Sequence, residues 1–111
     1  MMAEITGFIQ AKHIDSFQKL RVLVFFYQHL ESSWTGQQIA KQLHLGDGLL
    51  IEKIIAELRA AGLVNCVAHR CKLRDEAGLR LSLQHLVNIC EDPLTRQKIL
   101  DQVRHIAIFS H

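Results

Sequence analysis

Residues 35–64, TGQQIAKQLHLGDGLLIEKIIAELRAAGLV, constrain the fold of this chain more than any other stretch. Thr35 and Gln38 have the spacing of a capping box, which predicts a helix that begins at Gly36. The apolar side chains of this helix share one face and are Ile39, Ala40 and Leu43. The two glycines within Leu45–Gly48 predict a tight turn, because glycine turns the chain without steric strain.

A second helix is predicted from about Gly48 to Ala61. Asp47 can cap its first amides and places a negative charge at the positive end of the helix. An apolar stripe at spacings of three and four runs along it, namely Ile51, Ile54, Ile55 and Leu58. Gly62 is expected to end the helix in a left-handed conformation, after which Leu63–Val64 enters a strand. Residues 35–62 therefore read as a helix-turn-helix.

This pattern resembles the winged-helix transcriptional regulators of bacteria, of the MarR type and of the redox-responsive iron-sulfur repressor type. The residues that carry the resemblance are Ile39, Ala40, Leu43, Leu45, Ile51, Ile55, Leu58 and Gly62-Leu63-Val64. It implies a mainly α (α+β) fold, a winged helix-turn-helix with a small antiparallel wing sheet and a long C-terminal helix. The implied function is that of a homodimeric DNA-binding transcriptional regulator.

The chain departs from the repressor type beyond the wing. There the cluster-binding members hold three cysteines close together, whereas this chain has Cys90 alone. No iron-sulfur cluster of that type is therefore expected, and no cofactor is predicted.

Length and composition predict one soluble domain over residues 1–111, with the helix-turn-helix at 35–62, the wing at 63–83 and a C-terminal helical segment at 84–109. Apolar residues make up 49% of the chain and charged residues 22%, which argues against disorder. No apolar run approaches the length of about 20 residues that a membrane span needs. The first residues lack the pattern of a secretory signal, so a cytoplasmic location is expected.

Asp15 and Gln18 have the spacing of another capping box, which predicts a helix from Ser16 to about Leu30. This helix is apolar on most of its circumference, and a monomer is not expected to cover both sides. Trp34 is predicted to occupy a short strand ahead of the helix-turn-helix.

The returning strand of the wing has two interpretations. In the first, Leu79, Leu81 and Leu83 alternate with polar residues as a half-buried strand does, and the tip lies in Asp75–Gly78. In the second, Cys71–Leu73 returns and the turn lies near His69–Arg70. Periodicity leaves both open.

After the wing, Ser82 is expected to open a short helix that ends near Cys90, and Asp92–Pro93 to start the last helix with a capping acid and a proline at its first position. Terminal helices often form dimer contacts, so we expect a two-fold homodimer held by the chain ends and the apolar first long helix. The predicted dimer residues are Ile5, Phe8, Ile9, Val22, Phe25, Phe26, Leu100, Val103 and Ile106.

For duplex DNA, the predicted contacts are the basic and amide side chains of the two helices and the wing. They are Gln37, Gln38, Lys41, Lys53, Arg59, His69, Arg70, Lys72 and Arg74. The exposed face of the second helix, with Leu49, Glu52 and Ala56, is poorly suited to reading bases, and the net charge is only +2. The alternative is therefore a winged-helix protein–protein interaction module without sequence-specific DNA readout.

The three cysteines form no even framework, and reduced thiols are expected. Cys66, His69 and Cys71 are a weak metal candidate, because their spacing places residues 66 and 71 on opposite faces of a strand unless a turn lies between them. Redox sensing by this cysteine pair is not predicted either. No catalytic motif is present, so an enzyme is not predicted.

Overall fold

The computed structural model describes residues 2–109, and the side chains of residues 5–106. This part of the chain is mainly helical with one two-stranded antiparallel sheet, which confirms the mainly α class. The elements are α1 (Met2–Ala11), α2 (Phe17–Gln28), α3 (Gly36–Gln42), α4 (Gly48–Ala60), β1 (Val64–Val67), β2 (Arg70–Leu73), α5 (Ala77–Cys90) and α6 (Pro93–Phe109). None of the helices within residues 2–109 is long and apolar enough to cross a membrane.

The chain divides into two compact units, with one boundary inside α2 and the other between β2 and α5. One unit comprises residues up to Leu20 and from Glu76 onward, and the other comprises Arg21–Asp75. The single-domain prediction stays a prediction.

The caps of α3 and α4 follow the sequence closely. The Thr35 hydroxyl accepts from the Gln38 amide at 3.2 Å and the Gln38 side chain accepts from the Thr35 amide at 3.0 Å, so the capping box is confirmed. Asp47 Oδ1 accepts from the amides of Leu49 and Leu50 at 3.0 and 3.1 Å. The two predicted helix starts are therefore correct.

The turn after α3 does not use its glycines as expected. The left-handed residue is His44, at φ 55°, while Gly46 and Gly48 keep negative φ. The amide of His44 donates to Lys41 O and that of Leu45 to Ala40 O, the paired bonds of a Schellman motif.

Gly62 closes α4 with the same pair of bonds at φ 76°, as predicted.

The cap of α2 differs from the prediction by one residue. The Lys19 amide donates to Ser16 Oγ at 3.0 Å, so Ser16 and not Asp15 is the cap. The Asp15 carboxylate instead lies 3.6 Å from Lys19 Nζ, which also donates to the His13 carbonyl at 2.7 Å. These contacts explain how Lys19 can be only 3% exposed.

In the Arg21–Asp75 unit, α3 and α4 pack together and α4 leads directly into the hairpin. The α4 stripe is buried as predicted, at Ile51, Ile54, Ile55 and Leu58. At the place of the predicted short strand, Trp34 forms only an isolated one-residue β-bridge to Cys71, through two backbone bonds of 2.7 Å. Its ring lies 5.0 Å from the ring of Phe25, edge to face.

The hairpin matches the second interpretation of the wing. β1 and β2 pair as Val64 with Leu73 and Cys66 with Cys71, and the hairpin tip is Ala68–His69. The interpretation that placed the returning strand at residues 79–83 is wrong, and the predicted wing boundary of 63–83 is too long. Those leucines belong to α5, where positions 79, 83 and 86 are buried at helical spacing and Leu81 is 54% exposed.

In the other unit, α1, α5 and α6 pack on one another. The Thr6 hydroxyl hydrogen-bonds Gln102 Oε1 at 2.9 Å between α1 and α6, as expected for an N-terminal piece beside the last helix. Ser82 does not open α5, which begins five residues earlier at Ala77. Asp92 caps α6 through Thr95, and these hydrogen bonds lower the pKa of its carboxyl.

The predicted dimer residues divide into two groups. Buried within the chain itself are Ile5, Ile9, Val22, Phe25, Phe26 and Val103. Their burial leaves these side chains little surface for a second copy, and their assignment to an interface stays a prediction. Partly exposed are Phe8, Leu100 and Ile106.

Candidate nucleic-acid interface

The solvent face of α4 carries few groups that could read a base. Leu49, at the first turn, is 84% exposed, and Glu52, Lys53, Ala56 and Arg59 follow it along the exposed side. Only Lys53 and Arg59 offer donors, and Glu52 offers a negative charge. The expectation that this face is poorly suited to base recognition therefore describes its exposed surface correctly.

A cleft of about 650 Å³ lies between the start of α3, the middle of α4 and the hairpin. We call it the α4–hairpin cleft. Its polar lining comes from Thr35 and Gln37 on α3, Glu52 and Arg59 on α4, and His69 at the hairpin tip, while Ile55 and the two hairpin cysteines line its apolar part. All of these residues belong to the Arg21–Asp75 unit.

The Glu52 carboxyl lies against Gly36, because a Cβ atom built on Gly36 would meet it. Gly36 is the first residue of α3, so the carboxylate sits beside the positive end of that helix. The absence of a side chain at Gly36 makes this approach possible. The negative charge of Glu52 is therefore directed toward α3, at one side of the cleft.

The hairpin presents its basic residues on the face opposite the cleft. Cys66 and Cys71 line the cleft, so the residues that alternate with them along each strand point the other way. The exposed pairs on that outer face are Asn65 with Lys72 and Val67 with Arg70. The nine predicted DNA contacts are therefore not one cluster.

Arg70 is partly held in place. Its Nε donates to Ser33 Oγ at 3.3 Å and its Nη2 donates to Ser33 O at 3.4 Å. The guanidinium of Arg74 lies over Gly62, with Nη1 3.4 Å from the position of a Cβ there. Both arginines remain exposed enough to meet a ligand.

The remaining predicted contacts fall in separate places. Gln37 is exposed at the cleft, whereas the Gln38 side chain is occupied by the cap of α3. Lys41 and Lys53 are exposed on α3 and α4. Sequence reasoning missed the position of Thr35 and Gly36 at the cleft, because the capping pattern signals a helix start and says nothing about what packs beside it.

The cysteines differ most from expectation. Cys66 and Cys71 form a disulfide, and Cys90 is free. The expectation of reduced thiols is wrong for this pair, because the two-residue tip places residues 66 and 71 directly opposite each other and on the same face. Cys71 exchanges backbone bonds with Trp34 on its other side, so the two cysteines form a non-hydrogen-bonded pair, where side chains approach most closely.

With the sulfurs bonded to each other, neither offers a thiolate to a metal, so the weak metal candidate at Cys66, His69 and Cys71 is not supported. Within the part of the chain that the structure describes, no group of three or more His, Cys, Asp or Glu side chains is placed to hold a metal ion. Burial raises the pKa of the Cys90 thiol, which therefore is a weak nucleophile at neutral pH.

Comparison with protein-family models, with curated proteins and with solved structures finds no match to this chain. What the chain does must therefore be inferred from the chemistry of its own surfaces.

Proposed function

We propose that the chain is a winged-helix DNA-binding transcriptional regulator. One observation carries the proposal: α2, a one-residue β-bridge at Trp34, α3, α4 and the β1–β2 hairpin follow one another in this order, with Trp34 paired to the outer edge of β2. A short strand ahead of the helix pair and a hairpin after it are the parts that a winged helix requires. The exposed face of α4 lies next to that hairpin across the α4–hairpin cleft.

In the proposed complex, α4 enters the major groove and the hairpin follows the DNA backbone. Arg59, Gln37 and His69 at the cleft supply donors for one strand of phosphates. Arg70 and Lys72, on the outer face of the hairpin, supply them for a neighbouring backbone or minor groove. Leu49 at the start of α4 is the group best placed to touch a thymine methyl.

The charge distribution favours the same unit. The Arg21–Asp75 unit holds seven basic and five acidic side chains, so it carries the whole net charge of +2. Because few side chains on α4 can read bases, phosphate contacts are expected to dominate the affinity. Binding should accordingly weaken steeply with salt and discriminate little between sequences.

The salt dependence of binding tests this proposal. Fluorescence anisotropy with a generic duplex measures the slope of log K against log salt concentration. When Arg70, Lys72 and Arg74 are all changed to alanine, the magnitude of this negative slope should decrease by about two to three. The matched control changes Arg96, Lys98 and Arg104, three exposed basic residues of α6, and should leave the slope near that of the unchanged chain. Equal slopes for the two triple variants would contradict the assignment.

A protein-interaction module is the second candidate. Leu49 and Val67 are 84% and 79% exposed, one on α4 and one on the hairpin. Large apolar side chains that are this exposed suit a protein partner at least as well as a nucleic acid. A mobility-shift assay at low salt separates the two, since no retardation of duplex DNA at micromolar protein favours the interaction module.

A homodimer remains part of the proposal. The partly exposed side chains Phe8, Leu100 and Ile106 are the members of the predicted interface that can still meet a second copy.

A further inference from the structure

We propose that Cys66 and Cys71 are a reversible thiol–disulfide exchange centre for low-molecular-weight thiols, with Cys66 as the attacked sulfur and the hairpin tip as the segment that responds. The exchange chemistry itself does not depend on DNA binding. Only the consequence for DNA affinity, given last, depends on the proposed function.

Access decides which sulfur reacts. Both cysteines border the α4–hairpin cleft, but Cys66 is partly exposed whereas Cys71 is only 4% exposed. A thiolate that approaches through the cleft therefore meets the Cys66 sulfur first. Thiol–disulfide exchange depends on which sulfur can be reached as much as on the thiols themselves.

Two features of the surroundings act on the leaving sulfur in opposite directions. Burial disfavours the Cys71 thiolate that forms when the bond breaks, whereas Arg59, which lines the same cleft, supplies a positive charge that favours it. The competing charge in the cleft belongs to Glu52, whose carboxyl is directed toward Gly36.

The reaction balances as two exchanges. An external thiolate attacks Cys66 Sγ, the bond between the protein sulfurs breaks, and its electron pair leaves on Cys71 Sγ. A second external thiolate attacks the external sulfur of this mixed disulfide and releases the Cys66 thiolate. Two small thiols are oxidised to one disulfide, the protein disulfide is reduced by two electrons, and the two protons pass to the two cysteines.

Reduction of the disulfide is expected to change the conformation of the hairpin tip. Ala68 and His69 both have positive φ, 53° and 67°, which is the geometry of a turn that Asn-Gly adopts readily and that alanine and histidine do not. Ala68 and His69 therefore disfavour the turn that they form, and the disulfide between Cys66 and Cys71 holds this turn closed. When the bond is reduced, the tip is expected to open, while Trp34 still holds Cys71 from the other side.

The first test identifies the attacked sulfur. In a Cys90→Ser background, the variants Cys71→Ser and Cys66→Ser each leave one thiol, and mass spectrometry follows its reaction with oxidised glutathione. By microscopic reversibility, Cys66 should form the mixed disulfide about tenfold or more faster than Cys71. Equal rates, or faster reaction at Cys71, would overturn the assignment.

The second test needs no cysteine change in the pair. The C90S chain is equilibrated in glutathione buffers of increasing reducing strength, and amide hydrogen exchange is measured at residues 67–70. Exchange there should become about tenfold or more faster as the pair is reduced, while the Leu58 amide in α4 stays protected as the internal control. A pair that is reduced only after denaturant opens the chain, or a tip that exchanges alike in both states, would overturn the proposal.

A double variant of the tip separates the effect of the turn sequence from the effect of the disulfide. With Ala68→Asn and His69→Gly the turn suits its sequence, so the redox-dependent difference in exchange should shrink to about threefold or less. An undiminished difference would overturn the coupling between the bond and the tip.

The DNA consequence has a separate readout. If the chain binds DNA, affinity for the generic duplex should differ about tenfold between the two redox states, because His69 and Arg70 are at and beside the tip. Equal affinity in the two states would overturn this consequence. Loss of binding in both states would contradict the proposed function and leave the exchange measurements valid.

Discussion

At the scale of single residues, the ends of the helices are set by a few side chains. Three of them end in the same Schellman bonds, after α1, α3 and α4, with His13, His44 and Gly62 as the left-handed residues. Glycine was recognisable in the sequence at the third of these positions, since it is the usual residue there. The two histidines were not, because nothing in a histidine by itself signals positive φ.

The cap at Asp47 is the first residue whose removal is predictable. Asp47→Ala leaves the amides of Leu49 and Leu50 without their acceptor and should lower the free energy of unfolding by about 1 kcal/mol. Urea denaturation followed by circular dichroism measures it. Asp47→Asn keeps an oxygen acceptor and should lose much less, whereas equal losses in the two variants would argue against capping.

His44 allows the opposite prediction. His44→Gly removes the cost of a left-handed conformation at φ 55° and should raise the free energy of unfolding by about 1 kcal/mol. The matched control is His85→Gly, the same change inside α5, which should lower it by about the same amount. Destabilisation by both would contradict the role of His44 as a helix terminator.

At the scale of elements, the open question was whether residues 79–83 or residues 71–73 form the returning strand of the wing. Leucines at 79, 81 and 83 fit a period of two, and leucines at 79, 83 and 86 fit a helical stripe equally well. The structure selects the helix, because the two-residue tip at Ala68–His69 already returns the chain along β1. The position of the hairpin turn therefore decides whether residues 79–83 form a strand or a helix.

Two leucine substitutions test this assignment. Leu83→Ala removes a fully buried side chain of α5 and should cost about 2–5 kcal/mol of unfolding free energy. Leu81→Ala, two residues away, removes a side chain that is 54% exposed and should cost about 0.5 kcal/mol or less. A strand would place both on the same face, so similar large losses in thermal or urea unfolding would contradict the helix.

The candidate site was predictable only in part. The residue types at the cleft and hairpin were visible, and Arg59, His69, Arg70 and Lys72 are all exposed. Their division between the cleft and the outer face of the hairpin was not visible, because it depends on the register of β1 with β2. The same register pairs Cys66 with Cys71, which the spacing places on opposite faces unless a turn lies between them.

At the scale of the whole molecule, burial reduces the apolar surface that is open to a second copy. The apolar circumference of α2 suggested a second copy, yet Val22 and Phe26 are fully buried in the chain that carries them. What remains for self-association is partly exposed surface on α1 and α6, at Phe8, Leu100 and Ile106.

Sedimentation equilibrium tests that surface. We expect a mass near twice the 12.7 kDa chain at micromolar concentration, and Leu100→Glu should weaken self-association by about tenfold or more because it places a charge in the contact. Leu94→Glu makes the same change at an exposed position of α6 and should not. A monomer at every concentration would remove the dimer from the proposal.

The sequence by itself determined the features that depend on local interactions. These features depend on residues within a few positions of one another, because hydrogen bonds of helix caps and contacts along one helix face are short-range. They are the capping box at Thr35, the cap at Asp47, the apolar stripe of α4 and the end of α4 at Gly62. The tertiary structure alone decided the pairing of Cys66 with Cys71 and the burial of Val22 and Phe26 in α2. Those outcomes depend on which distant segments meet, and a local pattern carries no information about that.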